Sequence, residues 1–377
     1  MPVNNPVVIP TVRHPRSIVK VNGLEAPAMI EWQTDANNYY RANTFRVEFA
    51  LEYPGSAQAT INAAWWADQA DLLVEIYAGF PSDPAKYTTS DLEKIFVGEV
   101  DELTTTLEAN LVVLEGRDLS LRFIETKTTE KYPNMTASEI VKKLADDKGV
   151  KTQITDTSEK VGRFYNEEHV QLQDERTMWD LMCFLAQSEQ YVLFLKGDVL
   201  HFEPAPAEDS SNPYVLVWKP PGQGSGRSTN SANFVRMNFK RSLTISRDVI
   251  VQVRSWNSKE KKSFTTEAKA SKNQRRQSKG GDAQTYAYTI PGLTKEQSLK
   301  KAQSLLEDIS RHEIRMTASL PADNIIDEST IIQVQGTGTA NDQLYFADHV
   351  VRRFSIKAGY AMEIRAKNHS PISTVLA

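Results

Sequence analysis

The sequence predicts a mainly β protein carrying a small α/β insertion. Period-two alternation of apolar and polar residues recurs towards both ends of the chain. Proline- and glycine-marked turns separate those runs at short intervals, which favours antiparallel barrels or sandwiches. Helical periodicity is confined to the middle and to one later segment.

The first β stretch is read from Phe45, Val47, Phe49 and Leu51, alternating with Arg46, Glu48, Ala50 and Glu52. A strand so patterned buries one face. Leu72, Val74, Ile76 and Ala78 continue the pattern, followed by strands at 96–100 and 111–114, with turns at Pro54-Gly55 and Pro81-Ser82-Asp83-Pro84. The texture changes after Arg117-Asp118. Thr136 and Glu139 form a T-x-x-E capping box, in which hydroxyl and carboxylate satisfy free amides of a first helical turn. Ile140, Val141, Leu144 and Ala145 line one helical face, and Gly149 can end the helix. A second helix is expected over 177–188, burying Leu181 and Leu185. It leads into apolar runs at 191–196 and 199–203, which flank the hairpin pair Gly197-Asp198.

From Pro204 to Asn233 the chain is rich in proline, glycine and serine, as a linker is, with one candidate strand at Tyr214–Trp218. Strand patterns resume at Val235, Met237 and Phe239, then at Val249, Val251 and Val253. Thr294 and Gln297 form a second capping box, and Leu299, Ala302, Leu306 and Ile309 supply the expected buried stripe. Strands at 330–335, 344–356 and 360–366 close the chain. The expected domains are therefore 1–118 (β), 119–206 (α/β), a linker at 207–232, and 233–377 (β) with a mobile basic loop at 258–285. One internal echo links the β regions. Ile95–Asp101 and Tyr345–Val351 each lead through a polar crossing into a second strand, Leu111–Leu114 and Ala361–Ile364. So few matches suit either a shared fold or two unrelated hairpins.

Composition narrows the classes. A formal net charge of -4 argues against a protein built to coat nucleic acid, yet suits the wall of a channel that DNA crosses. The single cysteine, Cys183, cannot form an intrachain disulfide, has no cationic neighbour in sequence, and reads as a core residue suited to a reducing cytoplasm. Residues 1–10 lack the basic start and apolar run of a secretory signal. No unbroken apolar run approaches about 18 residues, so no transmembrane helix is expected.

The run Phe96-Val-Gly-Glu-Val-Asp101, with Leu114-Glu-Gly-Arg-Asp118, resembles the first domain of phage late control D proteins, the baseplate hub subunits of contractile tails. The segments Tyr132–Val141 and Thr177–Ala186 match that family's two short helices, and Leu200–Pro204 ends its hairpin. Val253-Arg-Ser-Trp-Asn257, followed by lysines, looks like the entry to a second barrel. The likeness spans about Phe45 to Lys367, and the order and spacing of the segments carry it.

The resemblance implies two tail-tube-like antiparallel β-barrels plus a small α/β domain, similar to the hub part of type VI secretion spikes. It implies a homotrimer whose ring of six barrels joins the sixfold tail tube to the threefold central spike. The implied partners are the tail tube protein, the central spike protein, other baseplate proteins and the tape-measure protein, with transient, non-specific passage of DNA. The implied location is the virion tail baseplate, after assembly in the host cytoplasm. The implied role is structural, with no enzymatic activity, cofactor or membrane insertion.

His14, His169, His201, His312, His349 and His369 are dispersed and lack zinc-site spacing. Asp101-Glu102, Asp146-Asp147 and Glu167-Glu168 read as solvated turns, and neither Ser255 nor Gly222–Gly226 sits in a nucleophile elbow or phosphate loop. Lys259, Lys261, Lys262, Lys269, Lys272, Arg275, Arg276 and Lys279 form a basic stretch read as a solvated loop that orders against a partner, with contact to acidic tail proteins or to passing DNA phosphates as the alternative. Trp32, Trp65, Trp66 and Trp218 are candidates for the core or for a subunit interface. Two rival classes stay open: a tail-carried cell-wall hydrolase, which needs carboxylates converging in one cleft, and a peptidoglycan-binding module in 119–206.

Overall fold

The computed structural model describes residues 2–4, 13–37, 39–128, 130, 132, 134–158, 160, 177–189, 191–204, 212–221, 231–241, 249–257, 262–269, 284–290, 295, 298–299, 301–303, 305–306 and 314–368. Its first β unit comprises β1 (Arg16–Val21), β2 (Leu24–Glu25), β3 (Met29–Asn37), β4 (Thr44–Ala50), β5 (Leu73–Gly79), β6 (Glu93–Thr106) and β7 (Leu111–Asp118). The predicted alternation holds in β4, where Phe45, Val47 and Phe49 are buried between half-buried residues. Neighbouring strands follow the order β3-β4-β7-β6-β5-β1-β2, and every pair is antiparallel.

A small α/β unit comes next. A three-stranded sheet of β8 (Lys151–Ile154), β9 (Tyr191–Lys196) and β10 (Val199–Pro204) packs against the helices Ala137–Asp147 and Met178–Glu189. The Thr136–Glu139 capping box forms as predicted, and Gly149, at φ +64°, leaves the first helix in the left-handed region. Gly197, at φ +60°, turns the β9–β10 hairpin.

The second β unit contains β11 (Tyr214–Lys219), β12 (Ser231–Ala232) and β13 (Arg236–Arg241). After a further small sheet of β14 (Val249–Asn257), β15 (Lys262–Lys269) and β16 (Gln284–Thr289), it resumes with β17 (Ile314–Pro321), β18 (Ile331–Gln335), β19 (Leu344–Ser355) and β20 (Gly359–Lys367). Its order, β13-β17-β20-β19-β18-β11-β12, repeats that of the first unit strand for strand. The sixth position differs in sense: β1 runs antiparallel to β5, whereas β11 runs parallel to β18. The β regions therefore share one topology, and the α/β unit lies between two repeats.

The hairpins β6–β7 and β19–β20 correct the register of the echo seen in the sequence. Within each hairpin the long strand has one bulged residue, Asp101 in β6 and Asp348 in β19, an extra position that bends the strand. Both aspartates pair with a cation near the end of the returning strand. Arg117 grips Asp101 with two bonds of 2.8 and 2.7 Å, and Lys367 lies 2.9 Å from Asp348. Asp101 thus corresponds to Asp348, three residues from the alignment that the sequence suggests, while Leu111–Leu114 and Ala361–Ile364 correspond as read. The expected register failed because the β19–β20 hairpin is longer: its ladder runs on to Ser355↔Gly359, whereas that of β6–β7 ends at Thr106↔Leu111.

The candidate strand Tyr214–Trp218 within 207–232 forms as β11, with Tyr214, Val215 and Leu216 buried in the main sheet, so this part of the stretch belongs to the second β unit. Two other expectations change. The mobile loop at 258–285 contains β15, which forms eight pairs with β14, and the first residues of β16. Ser263, Thr265 and Glu267, exposed and polar, alternate with buried Thr266 and Ala268, and so polar a run disguises the strand. In the last helical segment Ala302 and Leu306 are buried as expected, but Leu299 is exposed, and Ser298 and Leu305 are buried beside them. Thr294, Gln297 and Ile309 lie outside the described residues.

Both repeats share one hydrophobic core, because β3 of the first pairs antiparallel with β19 of the second. Trp32 on β3 occupies that junction. Its ring stacks on Phe354 at 6.1 Å and meets Tyr360 edge-on at 5.7 Å, while its Nε1–H donates to Ser17 Oγ at 2.8 Å. Within the first repeat, Gly98 and Gly116 let β6 and β7 cross closely. A Cβ on Gly116 would lie 2.1 Å from the Glu99 carbonyl oxygen, and one on Gly98 2.3 Å from that of Arg117. Gly116→Ala is expected to lower unfolding stability in urea by about 1–3 kcal/mol through overpacking.

Candidate functional site

A polar junction lies where both β repeats meet the α/β unit. The segment 39–43 between β3 and β4 reaches into that unit. There the Tyr40 amide donates to the Leu193 carbonyl at 2.9 Å, the Tyr40 hydroxyl to the Tyr191 carbonyl at 2.6 Å, and Trp179 Nε1 to the Tyr40 carbonyl at 3.1 Å. From the other side, Lys196 at the end of β9 pairs with Asp327 of the second repeat at 2.7 Å. Asp118 closes β7: its carboxylate accepts the amides of Asn43 and Ser120, both at 3.0 Å.

These groups surround a cavity of about 90 Å³ lined by Thr34, Asp118, Lys196, Asp327, Glu328 and Arg352, among others. Burial pushes Asp118 up to about 6, outweighing its hydrogen bonds and the Arg117 charge. Glu328 is pushed up to about 7, first by burial and then by the Asp327 carboxylate, against the pull of Arg352 and Lys196. Asp327 behaves oppositely: burial would raise it, but Lys196, Ser329 and Thr330 together hold it below the usual carboxylate range. Arg352 Nη2 donates to the Ile326 carbonyl. Sequence reasoning missed this cluster, because Asp327-Glu328-Ser329-Thr330 reads as an ordinary polar turn and nothing local marks it as buried.

Of the basic stretch, Lys259, Lys261, Lys272, Arg275, Arg276 and Lys279 lie outside the described residues, and Lys262 begins β15. His169, His312, His369, Glu167 and Glu168 also lie outside, as does Gly222–Gly226. His201 stacks on Phe194 at 4.7 Å, and His349 sits 3.5 Å from Asp35, each held low mainly by burial. Among the described residues no group of three His, Cys, Asp or Glu side chains is placed to hold a metal ion, and no helix is long and apolar enough to cross a membrane. Asp101 is engaged by Arg117, whereas Asp146 and Asp147 are exposed at the end of their helix. Trp32 and Trp66 are buried in the core, Trp65 packs against it, and half-buried Trp218 stacks on Phe234. Cys183 packs against the α/β core with its thiol pushed up to about 12, first by burial and then by Asp180.

Two outcomes follow. A folded-state pKa above that of an unfolded glutamate means that Glu328 contributes stability below about 4.5, lost as the pH rises through about 7. Glu328→Gln should therefore gain on the parent by up to about 3 kcal/mol between about pH 5 and pH 8 in urea titrations; a flat difference would contradict the burial argument. A thiol-reactive dye at neutral pH should label Cys183 only after unfolding.

Comparison with known proteins fits this architecture. The profile of the YQBQ-like family matches residues 87–367, whereas no curated protein sequence matches. Among solved structures, the chain is similar to a tail protein from Neisseria meningitidis MC58 at 15% identity and TM-score 0.64, covering 94% of this chain and 96% of that one. It is similar to the 43 kDa tail protein of prophage MuSo2 from Shewanella oneidensis at 12% identity and TM-score 0.65, covering 96% and 99%. A chain of the Francisella PdpA–VgrG complex matches at 9% identity and TM-score 0.54, with 97% of this chain spanning 59% of that one. At such identities the likeness is one of fold. With most of its length matched by the family profile, on a fold shared with phage tail proteins, the chain belongs to the YQBQ-like family.

Proposed function

We propose that this protein is a structural subunit of a phage-type tail, acting as the baseplate hub between tail tube and central spike. The observation that carries the reading is the duplicated β unit. Two repeats of one strand order lie edge to edge in a single sheet over a common core, as a chain that contributes two adjacent segments to a ring requires. The fold likeness to tail proteins and to a chain of a VgrG complex supports the same role. In this reading three copies supply six β units around a lumen for the tape-measure protein and DNA, and the virion baseplate is the site of action. The α/β unit, clamped by Lys196–Asp327 and by Tyr40, is carried on the rim. The basic stretch from Lys259 to Lys279 serves as a contact for an acidic baseplate partner.

Negative-stain electron microscopy and sedimentation of the purified protein, alone and with the tube and spike proteins of its own particle, test the proposal. Trimeric rings are expected. A protein that stays monomeric in the assembled particle, or that turns over peptidoglycan, would replace the hub reading with one of its rivals.

A further inference from the structure

Superimposing the repeats by strand position exposes an unfilled place in each. Through their shared partners, β4 with β7 and β17 with β20, the pairs Phe45/Met316, Val47/Ala318 and Phe49/Leu320 correspond, and all six are buried. The same ladders match Trp32 of β3 with Met237 of β13, and Asp35 with Lys240. The aligned bulges match Val351 of β19 with Thr104 of β6. The first half of β19 pairs with β18, and its second half, from His349 to Ser355, pairs with β3. The first half of β6 likewise pairs with β5. Beyond Val100, whose amide bonds to the Leu72 carbonyl, no described strand lies on that edge of β6. The counterpart of β3, namely β13, pairs only with β17, and its other edge is also uncovered among the described strands.

We propose that β13 of one copy adds antiparallel to the Glu102–Thr106 edge of β6 in the next copy, repeating between chains the junction that β3 and β19 make within one. This rests on the ring reading above and names the surfaces that close the ring. Uncovered strand edges are templates for such addition. Transferring the internal register sets Thr104 opposite Lys240 and Thr106 opposite Asn238.

Charge supports the pairing, with its sign inverted between the two junctions. Inside the chain, acidic β3 (Glu31, Asp35) meets His349 and Arg353 of β19, with Asp35 3.5 Å from His349 and Arg353 Nε donating to Gln33 at 2.8 Å. Between chains, Glu102 would lie diagonal to Lys240 and Glu108 opposite Arg236, all four of them exposed. Apolar exposure clusters at the same places. Leu107, at the tip of the β6–β7 hairpin, is 74% exposed, and Val235, just before β13, is 77% exposed. Contacts of this kind run head to tail, so each copy offers one of each edge and a ring leaves neither uncovered.

The test is a chain carrying Thr104→Cys and Lys240→Cys, treated with a short bismaleimide at high protein concentration. Covalent multimers up to a closed ring are expected, while a control pair at exposed Ser82 and Lys240 should give none. Lys240→Glu and Glu102→Lys should each weaken self-association about tenfold, and the two combined should restore it. Rings seen without the 104–240 cross-link would overturn this interface and leave the hub reading standing. Cross-linked open chains that never close would uphold the interface and overturn the ring. A protein that neither cross-links nor associates would overturn both.

Discussion

The antiparallel pairing of β3 with β19 is the contact on which the molecule depends. It joins residues more than three hundred positions apart and makes two β repeats into one sheet with one core. Trp32 seals the joint because a single large side chain there touches β19, β20 and β1 at once, while its indole N–H is satisfied by Ser17. Ser17 in turn donates to the Tyr77 carbonyl of β5 at 2.7 Å, so the far side of the first repeat is tied to the same point. With the joint made, the two repeats cannot rotate independently, a property suited to a mechanical role.

Duplication explains where the other parts sit. In the first repeat the short connection between β3 and β4 is pinned into the α/β unit by Tyr40 and Asn43. In the second, the corresponding connection between β13 and β17 has grown to include β14, β15 and β16, which build a separate small core around Val251, Val253, Ala302 and Leu305. Connections tolerate such growth because lengthening a loop costs little once the strands it joins are held by the sheet. The framework is shared, and the inserted parts are what distinguish one repeat from the other.

At the polar junction, charges are buried next to one another instead of being replaced by apolar packing. Lys196–Asp327 sits at the edge of this cluster, its lysine side chain 59% exposed and its aspartate side chain 17%, so it marks where the α/β unit meets the second repeat and contributes only modest stability. Glu328 shows the other side of this arrangement. With Asp327 already holding the available cation, its neighbour gains little from ionising and is pushed towards neutrality.

Local structure was legible in the sequence wherever it is decided by near neighbours. The alternation in Phe45–Leu51, the Thr136–Glu139 capping box, and the Gly197-Asp198 turn each set their own conformation through side chains a few residues apart, and the resemblance pointed to the tail-protein fold through segments of that kind. Only the tertiary structure decided the rest. The bulges at Asp101 and Asp348 require a partner strand before they exist. The strand character of Lys262–Lys269 depends on β14, and the burial of Asp327 and Glu328 depends on Lys196, more than a hundred residues away. Hydrogen-bond ladders and desolvation are made between distant segments, whereas periodicity records only what one segment will bury.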